Sequence, residues 1–209
     1  LDAYGISFHV GSQQTDPEQW DLAIGQAAAI FRDLGERGVA ARMVNLGGGL
    51  PARYQDEVAP IAAYALAISQ AMTRHFGNQL PEMIIEPGRG LVGDAGVLEA
   101  EVVLIAEKNF GDEVRWVYLD VGKFNGLAET MDEAIKYRVK TPRDGVETGR
   151  VILAGPTCDS VDVLYEKAGY ELPHALEVGD KIRFLSAGAY TTTYATTGFN
   201  GFPPTQAHY

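Results

Sequence analysis

Three stretches of the chain combine glycine with side chains that could hold an anion. Residues 9–12, 47–49 and 86–89 each follow a short apolar segment, and they include Ser12 and Arg89. Glycine lets backbone N–H groups approach an anion closely, and a hydroxyl and a guanidinium add further donors. Each stretch alone could be an ordinary turn. Their recurrence after three apolar segments favours a cradle for a phosphate group.

A carboxylate and an aromatic ring belong to the same stretches. Glu86 beside a bound phosphate is electrostatically unfavourable unless a cation lies near it, and a protonated pyridine nitrogen would be such a cation. His9 could stack on an aromatic ligand, although a histidine at a strand end is usually a hydrogen-bonded structural residue. Phosphate donors, a carboxylate and a stacking ring together describe a pocket for pyridoxal phosphate, whose ring withdraws electrons from a bound substrate.

Further reactive groups lie on predicted turns in the second half of the chain. A thiol and a carboxylate are adjacent at Cys158 and Asp159, and Asp120 ends another predicted strand. Each has an ordinary structural explanation, because a lone cysteine is often buried and aspartate commonly caps turns. The aromatic residues Tyr190 and Phe199 could equally be packing residues. These residues are therefore candidates rather than assignments.

The elements that must position the anion-binding stretches alternate between strand and helix. We predict strands over residues 4–10, 42–46 and 82–86, and helices over residues 15–38 and 60–77. Such a series gives parallel strands whose carboxyl ends meet at one edge of a sheet. Apolar residues recur at helical spacing in both helices: Trp20, Ala23, Ile24, Ala27, Phe31 and Leu34, then Ile61, Tyr64, Ile68, Met72 and His75.

The pattern changes near residues 93–96. Longer strands without good helices between them are predicted over residues 97–108, 114–121, 149–154 and 181–186, and residues 122–140 are predicted to be irregular. We therefore predict an α/β plus β chain, with part of a (β/α)8 barrel over residues 1–95 and an antiparallel β domain over residues 96–209. A complete barrel takes about 250 residues, so the first part has room for only three of its strands.

Composition excludes several classes of protein. The 209 residues are 46% hydrophobic and 22% charged, which is ordinary for a globular protein, and the net charge is −11. This acidity argues against a nucleic-acid partner, and no apolar run approaches the roughly 18 residues of a membrane helix. The single cysteine cannot form a disulfide within the chain, which fits a reducing compartment. We expect a cytoplasmic protein with no metal site.

Six ordered motifs resemble the pyridoxal-phosphate-dependent basic amino acid decarboxylases, and within them the eukaryotic-type ornithine decarboxylases. These proteins have the alanine-racemase-like fold, a barrel followed by a β domain. The resemblance spans nearly the whole chain. Its motifs are His9-Val-Gly-Ser-Gln13, Asn45-Leu-Gly-Gly-Gly49, Glu86-Pro-Gly-Arg89, Gly155-Pro-Thr-Cys-Asp159, Gly188-Ala-Tyr190 and Phe199-Asn-Gly-Phe202.

The resemblance implies a role for each matching position around the cofactor, pyridoxal phosphate. His9 would stack on the pyridine ring and take part in catalysis, and Glu86 would pair with the pyridinium nitrogen. The phosphate would be held by a set of five residues from separate motifs: Ser12, Gly49, Gly88, Arg89 and Tyr190.

The resemblance also implies a substrate side of the site. Cys158 would protonate the carbanion after carbon dioxide leaves, and Asp159 would bind the distal ammonium of the substrate. In the family these two residues come from the opposite subunit, so a homodimer with shared active sites is expected. The remaining substrate-binding candidates are Asp120, the weaker candidate Glu129, and the lining residues Phe199 and Asn200.

One feature of the family does not match this chain. The family's Schiff-base lysine lies in an early barrel strand, within a motif like Tyr-Ala-Val-Lys. None of the six lysines here has that context. We therefore expect this lysine in a segment before Leu1.

The expected reaction is decarboxylation of L-ornithine to putrescine, and also of L-lysine to cadaverine, in polyamine biosynthesis. The nearest alternative is diaminopimelate decarboxylase, which typically has Glu-Ser after the cysteine and a Tyr-Asn-x-Arg-Pro ending. Here Asp159 and Phe199-Asn-Gly-Phe202 stand instead, which favours the diamine branch. An inactive homologue that acts as a regulatory binding protein is a further alternative, but such proteins tend to lose motif residues.

Overall fold

The structure, a computed structural model, describes residues 2–108, 111 and 113–209. The chain divides into two compact units, Leu1–Val92 and Gly93–Tyr209. Within the described residues, no helix combines the length and the apolar character needed to cross a membrane.

The first unit is a small α/β structure in which strands and helices alternate as predicted. Its sheet is parallel, in the order β1-β2-β3, with Gly5 opposite Met43 and Met43 opposite Glu82. The strands are shorter than predicted because only three residues of each pair with a neighbour. The elements are β1 (Gly5–Ser7), α1 (Gln19–Glu36), β2 (Met43–Asn45), α2 (Ile61–Phe76), β3 (Glu82–Ile84) and the short α3 (Arg89–Val92).

Both long helices pack one apolar face into the core of this unit. Trp20 of α1 and Tyr64 of α2 are fully buried and meet edge to face, with ring centroids 5.8 Å apart. Val44 of β2 and Met72 of α2 belong to the same cluster. The predicted stripe is wrong at Ile61, which is 64% exposed because it lies in the first turn of α2.

Helix α1 begins later than the sequence predicts. Asp16 accepts hydrogen bonds from the Glu18 N–H (3.0 Å) and from Nε2 of Gln19 (2.9 Å), so it stabilises the turn before the helix. Those bonds, the one from Gln19 first, hold the pKa of Asp16 below its usual value. The first helical residue is therefore Gln19 rather than Thr15.

The second unit contains a seven-stranded sheet in the order β6-β10-β4-β5-β7-β8, with β9 paired to β7. Alternate residues of β4, among them Leu98, Ala100 and Val102, face its core. The four predicted strands are present, and three short ones were missed. The strands are β4 (Val97–Ala106), β5 (Arg115–Leu119), β6 (Val139–Lys140), β7 (Thr148–Ala154), β8 (Val163–Leu164), β9 (Glu171–Pro173) and β10 (Lys181–Leu185).

The prediction of a purely antiparallel sheet is wrong at one pair of strands. β5 and β7 run parallel, with Tyr118 opposite Ala154. Their carboxyl ends therefore reach the same edge, where a Cβ on Gly122 would lie only 2.6 Å from the Cα of Gly155. This parallel pair brings the irregular segment after β5 against the turn that carries Cys158.

Candidate cofactor and substrate sites

A buried guanidinium joins two of the anion-binding stretches in the first unit. Arg89 is 5% exposed, and its Nη2 donates to Oγ of Ser12 at 3.3 Å. Its Nη1 donates to the hydroxyl of Tyr54 at 2.6 Å. Because Tyr54 and Ser12 fix the planar fork, the cation is held in one place, which is the arrangement that phosphate recognition uses.

The glycines of these stretches let the three strand ends pack backbone against backbone. Gly49 has φ +103°, and a Cβ there would lie 2.5 Å from the carbonyl oxygen of Gly11. A Cβ on Gly48 would lie 2.7 Å from the carbonyl oxygen of Glu86. Gly88 has φ +46° and opens the turn into α3. A side chain at Gly48 or Gly49 would therefore collide with the backbone of a neighbouring strand end.

The carboxylate of Glu86 is oriented by an asparagine on the neighbouring strand. Nδ2 of Asn45 donates to Oε1 of Glu86 at 2.6 Å, and Oδ1 of Asn45 accepts the Gly47 N–H at 2.9 Å. The side chain of His9 is exposed, with Cε1 3.8 Å from where a Cβ of Gly48 would lie. Glu86 and His9 therefore belong to the same strand-end region.

The residues of the first unit fit pyridoxal phosphate. Ser12 and Arg89 provide donors for a phosphate, Glu86 provides a held carboxylate, and His9 provides an accessible ring. Tyr190, the other predicted phosphate ligand, belongs to the second unit and is 45% exposed, with φ +56°. Its role stays a prediction.

The contact between Asn45 and Glu86 leads to a testable result. In Asn45→Asp the residue still accepts the Gly47 N–H, but it no longer donates to Glu86, and a repulsion of about 1 kcal/mol or more between the two carboxylates turns Glu86 away from its oriented position. We expect the dissociation constant for pyridoxal phosphate to rise about fivefold, measured by absorbance titration. Asn45→Ala, which removes both bonds without adding charge, is the control. Equal binding by Asn45→Asp and the native protein would contradict the orienting role.

Cys158 and Asp159 lie on an ordered turn of residues 155–162 after β7. Cys158 is exposed, so it is not the buried filler that a lone cysteine often is, and it adopts φ +60°. Oδ1 of Asp159 accepts the Val161 N–H at 2.8 Å, the turn-capping arrangement that an aspartate commonly makes. This bond holds the half-buried side chain of Asp159 against the turn, at the position that follows Cys158 in sequence.

The other predicted substrate residues fall in the same unit. Nδ2 of Asn200 donates to the Thr157 carbonyl oxygen at 2.9 Å, and Phe199 stacks on Phe124 with centroids 4.1 Å apart. Both residues thus lie next to the 155–162 turn or to the segment packed against it. Asp120 and Glu129 lie outside the 155–162 turn. Oδ1 of Asp120 accepts the Glu101 N–H of β4 at 2.8 Å, and Glu129 is half-buried in a 3-10 segment.

Sequence reasoning missed the residues that support the site. Tyr54, the partner of Arg89, lies in a loop where no local pattern marks it. Asn45 begins the Asn45-Leu-Gly-Gly-Gly49 motif, two residues before the first glycine, and that position is the signal that could have assigned it a role. Asp162 and Thr157 hold the 155–162 turn from inside, as described below.

Comparison with known proteins shows which family the first unit is similar to. Residues 1–93 match the family described as "Pyridoxal-dependent decarboxylase, pyridoxal binding domain". The first unit is therefore similar to the pyridoxal-binding domains of that family, and the resemblance drawn from the motifs is confirmed. The prediction of pyridoxal phosphate as the cofactor is confirmed with it.

The similarity to individual proteins extends over the second unit. The chain is 34% identical to the ornithine decarboxylase of Schizosaccharomyces pombe, covering all of this chain and 48% of that protein. It is 31% identical to the diaminopimelate decarboxylase of Neisseria meningitidis, covering 94% and 45%. It is 32% identical to antizyme inhibitor 2 of Xenopus laevis, covering 100% and 48%. The chain thus spans about half the length of the curated relatives it matches.

Solved structures give the same result for the fold. A lysine/ornithine decarboxylase of Vibrio vulnificus, complexed with cadaverine, superposes with a TM-score of 0.83 at 35% identity, over 96% of this chain and 53% of that one. A structure of SrLDC in complex with PLP and cadaverine superposes with a TM-score of 0.83 at 31% identity, over 98% of this chain and 51% of that one. The three parallel strands and two helices of the first unit thus correspond to part of a pyridoxal phosphate decarboxylase fold.

Proposed function

We propose that this protein decarboxylates a basic amino acid with pyridoxal phosphate. L-ornithine, giving putrescine, is the leading substrate and L-lysine, giving cadaverine, the second, within cytoplasmic polyamine biosynthesis. The observation that supports this best is the gathering of Ser12, Arg89 and the Asn45–Glu86 pair at one edge of the first sheet. An anion-binding group next to an oriented carboxylate is what a phosphorylated pyridine requires.

The first unit would hold and tune the cofactor. Ser12 and Arg89 would bind its phosphate, with the Gly49 and Gly88 backbones close by, and Glu86 would keep the ring nitrogen protonated. When bound, pyridoxal phosphate supplies a sink for the electron pair left at Cα. The exposed ring of His9 would cover the pyridine face.

The second unit would supply the groups that act on the substrate. Asp159 would bind the distal ammonium of the amino acid, which sets the preference for basic side chains. After carbon dioxide leaves, the Sγ–H of Cys158 would give its proton to Cα, and the thiolate would regain a proton from solvent. Asp120 would give a second contact to the distal ammonium, with Glu129 as the weaker candidate for the same task, and Phe199 and Asn200 would line the site. We propose that Cys158 and Asp159 act in the site of a second copy, in a homodimer.

A lysine that bonds covalently to the cofactor is part of the proposal. Residues 1–92 contain no lysine, and the six lysines of the chain all follow Glu107. We propose that the lysine lies outside residues 1–209. Borohydride should abolish the visible absorbance of the intact protein and attach the cofactor to a peptide outside this range. A label on one of the six lysines would overturn this part.

The reaction itself is tested by carbon dioxide release from the intact protein. L-ornithine, L-lysine, L-arginine and meso-diaminopimelate are each supplied, and the amine product is identified by mass spectrometry. We expect putrescine and cadaverine to form fastest. Cofactor binding without release from any of the four amino acids would favour an inactive homologue with a regulatory role.

A second candidate, diaminopimelate decarboxylase, is favoured by the 31% identity to a protein of that name. The two candidates differ at the distal end of the substrate. Ornithine and lysine carry only an ammonium there, whereas diaminopimelate also carries a carboxylate that Asp159 would repel. Release of carbon dioxide from meso-diaminopimelate alone would establish the second candidate.

A further inference from the structure

Asp162 is a buried carboxylate at the end of the 155–162 turn. It is 1% exposed, and its Oδ1 accepts the Lys123 N–H at 2.7 Å. Its Oδ2 accepts both the N–H (3.2 Å) and the hydroxyl (2.6 Å) of Thr157. The side chain thus ties the residue directly before Cys158 to the segment after β5.

The backbone of Asp162 closes the same turn. Its carbonyl oxygen accepts the Gly155 N–H at 2.8 Å, and its own N–H donates to the Asp159 carbonyl oxygen at 3.0 Å. Asp162 therefore contacts the turn at three points: Gly155 at its beginning, Thr157 directly before Cys158, and the carbonyl oxygen of Asp159. Cys158 and Asp159 lie between these fixed points.

Gly122 and Gly155 lie so close to the carboxylate that a side chain at either position would occupy the same space. A Cβ on Gly122 would overlap Oδ1 of Asp162, and a Cβ on Gly155 would overlap the carboxyl group from the other side. Gly122 has φ −152°, an extended conformation that any residue adopts. Glycine is therefore required here for the space that the carboxylate occupies.

The backbone of Cys158 needs such support. Its φ of +60° lies in the left-handed region, which costs a residue other than glycine about 1–3 kcal/mol and persists only when its surroundings hold it. Apart from Asp162, the bond from Asn200 to the Thr157 carbonyl oxygen also holds this segment, at 2.9 Å. The geometry of the thiol thus depends on the hydrogen bonds made around Thr157.

We propose that Asp162 is a positioning residue that fixes the Cys158–Asp159 turn through Thr157 and Lys123. The inference rests on the proposed function, in which Cys158 delivers a proton to Cα and Asp159 binds the distal ammonium. Because the carboxylate holds Thr157, the residue directly before Cys158 and Asp159, loosening it shifts both residues, which lowers kcat through Cys158 and raises KM through Asp159 together. Replacing Cys158 alone should lower mainly kcat, and Asp159→Asn, which keeps the bond from the Val161 N–H, should raise mainly KM.

Asp162→Asn separates the hydrogen bond to Lys123 from the two hydrogen bonds to Thr157. Asparagine still accepts the Lys123 N–H through Oδ1, but its NH2 group cannot accept from the two donors of Thr157. In the intact protein we expect kcat to fall and KM to rise, each at least tenfold. We also expect iodoacetamide to alkylate Cys158 at least threefold faster than in the native protein, because the turn is no longer held in place. The rate is followed by mass spectrometry of the peptide that contains Cys158.

One further variant controls for general destabilisation, and two others disturb the same contacts of Asp162 in different ways. Asp180→Asn alters a carboxylate of the same unit that accepts Nε of Arg143 (3.1 Å) and the Glu177 N–H (2.9 Å), and it should leave alkylation of Cys158 unchanged. Gly155→Ala displaces the Asp162 carboxylate without changing charge, and it should reproduce the effect of Asp162→Asn. If Asp162→Asn does not fold, Thr157→Val, which removes only the hydroxyl donor, should give a smaller change in the same direction.

The two proposals fail in different ways. Alkylation of Cys158 at the native rate in folded Asp162→Asn, Gly155→Ala or Thr157→Val overturns the positioning role, whatever the activity. A fall in kcat with unchanged KM and alkylation, shared by Asp180→Asn, also overturns it. If the native protein releases no carbon dioxide, the proposed function fails. The alkylation rates then still report whether Asp162 holds the turn.

Discussion

Arg89→Ala is expected to raise the dissociation constant for pyridoxal phosphate about 10- to 150-fold. A hydrogen bond to a charged group contributes about 1.5–3 kcal/mol, and each 1.4 kcal/mol is a factor of ten in binding. Arg89 is 5% exposed and is oriented by Tyr54 and Ser12, so its donors do not have to be ordered when the phosphate binds. Because these donors are already ordered before binding, their removal should cause a large loss of affinity for pyridoxal phosphate.

The experiment compares three variants by absorbance titration of the intact apoprotein with pyridoxal phosphate. Arg89→Lys keeps the charge but loses the planar fork, and it should bind with intermediate affinity. Arg74→Ala is the matched control, because it removes an arginine of the same unit that is 56% exposed and pairs with Asp21. Similar dissociation constants for Arg89→Ala and Arg74→Ala would remove Arg89 from the cofactor site.

The fold of the first unit could be predicted largely from local pattern. The apolar spacing of α1 and α2 identified both helices, and Gly77, with φ +64°, ends α2 as predicted. Alternation of strand and helix implied parallel strands, which in turn implied that Ser12, Glu86 and Arg89 would meet. Each of these steps depends on residues close in sequence, where propensity and periodicity are informative.

The supporting contacts could not be predicted in the same way. Arg89 and Tyr54 are 35 residues apart, and Asn45 and Glu86 are 41 apart. No local pattern specifies which polar side chains pair across such separations. The parallel pairing of β5 with β7 was missed for the same reason, since it is set by how the chain returns to the sheet. Asp162 was missed as well, because its role depends on the pairing of β5 with β7.

Asp159→Asn is expected to raise KM for L-ornithine or L-lysine about 10- to 150-fold with little change in kcat. The loss of a charge-assisted contact to the distal ammonium, about 1.5–3 kcal/mol, gives this range. Asparagine can still accept the Val161 N–H that Asp159 accepts at 2.8 Å, so the turn keeps its cap. The variant therefore removes charge while preserving local structure, and the effect falls on substrate binding.

Companion variants separate the charge of Asp159 from its capping of the turn. Asp159→Ala should raise KM equally and also lower kcat, because the turn beside Cys158 loses its cap. Asp144→Asn, at an aspartate that caps another turn through the Thr141 N–H (3.1 Å), should change neither constant. Native KM in Asp159→Asn with impairment only in Asp159→Ala would reduce Asp159 to a turn cap. For meso-diaminopimelate KM should change much less, since the lost attraction to the distal ammonium is offset by the lost repulsion of the distal carboxylate.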